Sequence, residues 1–175
     1  ERITLEEPND VRTLQRIAEL HARDGQNDAA CRTYGEVADI YVAGGFFAKA
    51  AAVCKQILRI RPDDNDVKLR LANLHYQLGL VSDALANLDQ VAQSHLQTGR
   101  IQAYVGVLAR MVELDPENVG HRIRLAEQYA KEERSGEALD EFAAAADLLH
   151  RAGRFDEYIK VRAREACLLR RAAAR

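Results

Sequence analysis

Pro8, Pro62 and Pro116 are the only prolines in the chain, and each stands 54 residues from the next. Laid on that spacing, the sequence aligns Arg16/Arg70/Arg124, Ala18/Ala72/Ala126, Ala30/Ala84/Ala138, Ala38/Ala92/Ala146, Gly45/Gly99/Gly153 and Val53/Val107/Val161. Other columns keep their character: Ile17/Leu71/Leu125, Tyr34/Leu88/Phe142 and Phe47/Ile101/Phe155. A fixed period without insertions marks stacked repeats, in which each unit buries its apolar face only against its neighbours. The chain therefore reads as a single repeat domain over 8–171 with units 8–61, 62–115 and 116–169. Residues 1–7 form a lead-in and 172–175 a tail.

Within each unit the apolar spacing is helical. Leu14, Ile17, Ala18 and His21 recur every three to four residues, which predicts one buried face on a helix over 11–24. Pro8-Asn9-Asp10 suits the start of that helix, since proline has no N–H to leave unpartnered and Asn or Asp can cap the free donors. Gly25 ends it. A second helix over 28–42 buries Ala30, Tyr34, Val37, Ala38 and Tyr41, and Gly44-Gly45 stops it. A third, over 47–60, buries Ala50, Val53, Cys54 and Ile57 before Arg61-Pro62 opens the next unit. The later units repeat this at 65–78, 82–97 and 101–114, then at 119–132, 136–151 and 155–171. Glu133 stands where the other units have turn glycines. No stretch alternates with the period of two that a strand needs. The expected fold is all-α, with nine antiparallel helices. The alanine columns mark close helix approach, and Tyr34, Leu88 and Phe142 are expected to fill the space between layers.

Composition narrows the function. The net charge is −2 and the isoelectric point about 6.3, which argue against a nucleic-acid partner. No apolar run approaches the ~20 residues of a membrane span. Cys31, Cys54 and Cys167 show no metal spacing and read as small packers or free thiols of a reducing, cytoplasmic setting. Without an initial Met, the sequence is expected to be a fragment of a longer protein. No His pair lies at i, i+4, no Cys pair at the spacing of a zinc site, and no glycine-rich phosphate loop or G-x-S-x-G is present. Neither an enzyme, a metal site nor a cofactor is expected.

Leu71-Ala72-x-x-His75-x-x-x-Gly79 followed by Ala84-x-x-x-Leu88-x-x-Val91 resembles a tetratricopeptide repeat (TPR). Leu125-Ala126-x-x-Tyr129 with Ala138-x-x-x-Phe142-x-x-Ala145 does too, and so does Ala38-x-x-Tyr41-x-x-x-Gly45-x-x-x-x-Ala50. Leu114-Asp115-Pro116-Glu117-Asn118 is similar to the link between two such repeats. The resemblance spans about residues 9–168 and implies a right-handed helical-repeat solenoid that binds proteins. The usual TPR period is about 34 residues and two helices. Here it is 54 and three, so packing by two-helix or by three-helix units stays open.

The resemblance also implies partner contacts on first-helix positions. The arginine column Arg16, Arg70 and Arg124 is then the leading candidate, with Asn73 and Tyr76 beside Arg70. Stacked units would bring the three guanidiniums to one face, ready for carboxylates. The competing reading pairs each arginine with an acidic neighbour in the next unit. Tyr76 replaces Ala22 and Ala130 of the other copies. Phe46, where the other copies have Arg100 and Arg154, is a candidate apolar contact, as is Leu80-Val81. The clamp of chaperone-binding TPR domains needs Lys and Asn, then Asn, then Lys and Arg. Gln15 and Glu19, Arg70, and Gly120 and Arg124 match it only at the last place. The expected function is a protein–protein interaction scaffold, with a protein or peptide partner. Self-association, in which end helices and Phe46 form a homodimer, is the alternative, and an RNA-binding helical repeat is the less favoured one. Family resemblance admits a small GTPase or an assembly component as partner.

Overall fold

The computed structural model describes residues 8–173, with side chains over 11–171. Among these residues there are nine helices and no strand: α1 (Pro8–Arg23), α2 (Asn27–Ala43), α3 (Phe47–Ile60), α4 (Asn65–Gln77), α5 (Val81–Gln97), α6 (Ile101–Leu114), α7 (Val119–Lys131), α8 (Ser135–Arg151) and α9 (Phe155–Ala173). The helices fall where the 54-residue period puts them, within about three residues at each end. The lead-in 1–7 and the capping side chains of Pro8, Asn9 and Asp10 lie outside the described residues.

The same local devices recur in each copy. Asp64 and Asn118 occupy one column, and each caps its helix: Asp64 Oδ1 accepts from the Val67 N–H at 3.1 Å, and Asn118 Oδ1 from the His121 N–H at 3.2 Å. Each satisfies a donor that the first helical turn would otherwise leave open. Asp64→Ala is expected to lower stability by ~1 kcal/mol, seen as a shift of the thermal midpoint. The turn after the first helix of each copy needs a left-handed residue. Gly25 and Gly79 supply it at φ 75° and 74°. Glu133 fills the same place at φ 62°, the one non-glycine residue at positive φ among those described. The period thus imposes the turn even where the residue carries a Cβ.

The chain divides into two compact units, Glu1–Val91 and Ala92–Arg175. In the first, each helix packs on the next from α1 through α4. Its core holds Ala18, Ala30, Tyr34, Val37, Ala38, Ala50, Val53, Cys54, Ile57, Leu71 and Leu74. Helices two apart in the chain are also lateral neighbours. α1 and α3 flank one groove whose floor is Tyr34 and Tyr41 of α2. On the other side, Arg70 of α4 reaches across to Asp39 of α2 at 2.7 Å. So α1 and α3 share one layer, and α2 and α4 the other. In the second unit α6 packs on α7, α7 on α8 and α8 on α9. There α7 and α9 flank a groove floored by Phe142 of α8. The sequence repeats every three helices while the packing alternates every two, as in TPR motifs.

The alanine columns are fully buried: Ala18, Ala30, Ala38, Ala72, Ala84, Ala92, Ala126, Ala138 and Ala146 are all at 1% exposure or less. Tyr34, Leu88 and Phe142 are buried as expected. One expectation fails on α1. Ala18 is buried and Leu14 and His21 are half-buried, but Ile17 is exposed. Its counterparts Leu71 and Leu125 face a preceding helix, and no described helix precedes α1.

Candidate protein-binding grooves

Unit-one groove residues come from three helices. Gln15 and Glu19 project from α1, Tyr34 and Tyr41 from α2, and Lys49, Ala52, Val53, Gln56 and Arg59 from α3. The cavity holds about 470 Å³. On α3, Lys49, Gln56 and Arg59 recur at helical spacing along the flank of the buried stripe of Ala50, Val53, Cys54 and Ile57, and Val53 itself reaches the groove. The buried stripe drives packing, and the polar residues on its flank are therefore delivered to the groove wall. Burial pushes the Tyr34 phenol up, and the nearby Glu19 carboxylate adds to this while Arg59 opposes it. Tyr34 thus presents a neutral hydroxyl, and the charges of the groove are Glu19, Lys49 and Arg59.

Phe46 stands at the edge of this groove. Its ring meets Tyr41 edge-to-face with centroids 6.4 Å apart, and the Lys49 ammonium lies 4.8 Å from its centre. The ring folds back over Gly44, where a Cβ would sit 2.9 Å from it. Phe46 is half exposed, so it forms an apolar lip held in place by its neighbours.

The second unit repeats the groove at the same columns. Glu127, Phe142, Arg164 and Cys167 stand where Glu19, Tyr34, Gln56 and Arg59 stand in the first, and Ala130, Lys131, Leu168 and Arg171 complete the lining. The cavity is about 340 Å³. Arg164 pairs with Glu127 across its mouth. Lys131 and Arg171 leave this groove, like the first, with a surplus of positive charge.

The arginine column is not gathered on one face. Arg16 lies exposed on α1, paired with Glu19 of its own helix at 3.0 Å. Arg70 lies on α4, in the other layer of the same unit, paired with Asp39. The cause is the mismatch of period and packing: moving three helices along a two-layer stack changes layer. Asn73 and Tyr76 are exposed on α4 with Arg70, so those three do share a helix. Arg124 is half-buried on α7 in the second unit. Lys49, Gln56 and Arg59 were not among the expected contacts, which followed first-helix positions. The polar stripe of α3 along the flank of its apolar one was the available signal.

His21 and His75 each meet a side-chain amide. The Gln26 amide oxygen lies 2.7 Å from His21 Nδ1, and the buried His75 has Asn87 Nδ2 at 3.3 Å. Among the described residues no His, Cys, Asp or Glu cluster could hold a metal ion, and no helix is long and apolar enough to cross a membrane. Cys54 is buried, and burial raises its thiol above the ordinary value, whereas Cys167 is exposed.

Repeated helices in two layers, with a polar groove between alternate ones, define the class of all-α helical-repeat proteins. Comparison with known proteins agrees with this class: residues 41–106 match the tetratricopeptide repeat family model. Two solved structures share the fold. BtubC (BKLC) from P. vanneervenii is 17% identical, with 95% of this chain and 75% of that one covered at a TM-score of 0.52. A variant of the nearly identical TPR-like repeats of a putative kinesin light chain from Podosopora anserina is 17% identical. It covers 98% of this chain and 100% of that one at 0.50. No curated protein matches the chain.

Proposed function

We propose that the chain is a non-catalytic protein-interaction scaffold that holds an extended, acidic segment of a partner in the α1–α3 groove. The observation that carries this is the groove itself, walled by Lys49, Gln56 and Arg59 and edged by the Phe46 ring. Two cations against one carboxylate favour an acidic ligand. Gln15, Gln56 and the Tyr34 hydroxyl offer hydrogen bonds to a peptide backbone, and a preformed groove needs little ordering on binding. The second unit's groove carries the same bias.

A random-peptide selection tests this, run on the wild type and on a Lys49→Glu/Arg59→Glu variant. Acidic peptides should be enriched by the wild type and lost by the variant, with at least a tenfold drop in affinity for the best of them. Equal enrichment in both would overturn the reading. The α4 face, with Arg70, Asn73 and Tyr76, is a second surface supported by the exposure of Tyr76. It is the favoured site if an Arg70→Glu/Tyr76→Ala variant loses the peptides instead.

A further inference from the structure

Six turns among the described residues pass through a left-handed position, at Gly25, Gly45, Gly79, Gly99, Glu133 and Gly153. The residue after each stands at the head of the next helix and is at least partly open to solvent. Four of the six are polar: Gln26, Arg100, Arg134 and Arg154. Arg134 pairs with Glu137 and Arg154 with Glu157, each three residues on. The turn itself therefore asks for no apolar side chain there. The other two are Phe46 and Leu80, each 46% exposed. Tyr76 and Leu78, leading into the second of these turns, are 42% and 37% exposed. Their columns hold Ala22 and Asp24 in the first copy, and Ala130 and Glu132 in the third. The repeat thus folds without apolar bulk at any of the four places. Topology gathers them. α2 packs on α3 and α3 on α4, so α2 and α4 run in the same direction, and the Arg70–Asp39 pair ties them side by side. The turns they lead into come out at one end of the first unit. The opposite end is polar, with Gln26, Asp63 and the Arg61–Asp28 pair. The apolar end adjoins the α1–α3 groove, because Phe46 meets Tyr41 and Lys49 of the groove lining.

We propose that this end holds an apolar residue of the same partner segment whose acidic part occupies the α1–α3 groove, an inference that rests on the groove reading above. The partner is then a short segment with carboxylates on one side and a bulky apolar side chain on the other. Size and charge select that occupant. Four side chains, each less than half exposed, offer a few hundred Å² at most, against roughly 800 Å² per partner in a stable interface, so the patch is too small to hold a second copy of the chain. Lys49 stands three residues after Phe46, with its ammonium over the ring, and a carboxylate beside the apolar residue complements it. Asp83 stands three residues after Leu80, exposed and of opposite sign. The two charges fix the order of the segment: its acidic residues lie toward Lys49, and its apolar residue reaches from Phe46 toward Leu80.

The random-peptide selection tests this when a Leu78→Gln/Leu80→Gln variant is run beside the wild type. Both columns are polar in the other copies, and an unchanged circular dichroism spectrum confirms that the variant folds. The wild type should enrich acidic peptides in which Leu, Ile or Phe stands on one constant side of the carboxylates. The variant should still enrich acidic peptides, but without that apolar preference, and should bind the best wild-type peptide at least fivefold more weakly. Replacing the apolar residue of that peptide with Ser should weaken the wild type by the same factor and leave the variant unchanged. Acidic peptides with no one-sided apolar residue overturn the inference and leave the groove reading standing. Failure of the groove reading has a different mark: the selected peptides would survive Lys49→Glu/Arg59→Glu, and the inference falls with it. A wild type whose sedimenting mass rises with concentration, beside a variant whose mass does not, gives the patch to a second copy and overturns the proposal as well.

Discussion

Phe142→Ala should lower the stability of the chain by about 3–5 kcal/mol, read as a fall in the urea midpoint with little change in slope. Phe142 is buried at 3% exposure in the core formed by Ala126, Ala145, Ala146, Leu149 and Val161. Those neighbours are mostly alanines, which have no side-chain length with which to close over a lost ring. The site therefore collapses poorly, and the cavity adds to the lost transfer energy. The repeat supplies its own control. Leu88 occupies the same column and is equally buried, so a leucine fits the general geometry there. Phe142→Leu should recover most of the loss. If Phe142→Ala costs under about 1 kcal/mol, the ring is not the filler between layers, and the assignment of this column fails. Phe142 also forms the groove floor in the second unit, so the alanine variant should deepen that groove as it destabilises the unit.

The period explains why so much of the fold could be read from the residues. An alanine that recurs at 18, 72 and 126 is required by one geometry met three times, and burial of all three confirms that the column is structural. Turns were legible for the same reason. A glutamate at 133 carries no turn signal of its own, yet it aligns with the turn glycines Gly25 and Gly79, and it turns the chain there at φ 62°. What the columns could not convey is which layer a helix joins. Arg16 and Arg70 share a column and are drawn apart, because identical sequence fixes the contacts of a helix with its chain neighbours but not the side of the stack on which it lies. The grooves were hidden by the same fact. They form between helices two apart, so their walls combine α1 with α3, and no single-helix pattern announces that Glu19 and Arg59 line one cavity. Ile17 was misread for a simpler reason: its pattern is that of a buried residue, and burial also needs a covering helix.

Overpacking the alanine columns should cost about 1–3 kcal/mol at each site, a second large effect with the opposite physical origin. Ala30 and Ala138 are both at 0% exposure, one in each compact unit. Ala30 lies on α2 in the core that α1, α2 and α3 share, so its methyl marks a close approach of helices rather than a gap. Leucine there adds three carbons where no space exists, and the helices must part or the side chain must leave its rotamer well. Ala30→Leu and Ala138→Leu are expected to destabilise to similar extents, because the columns are equivalent. Ala→Gly at the same sites creates no clash and should cost ~1 kcal/mol through helix propensity alone. The two series separate the explanations. If leucine is tolerated at either site as well as glycine is, the column is small by accident of sequence. If leucine is the worse at both, close approach of the helices fixes the period's most constant residue.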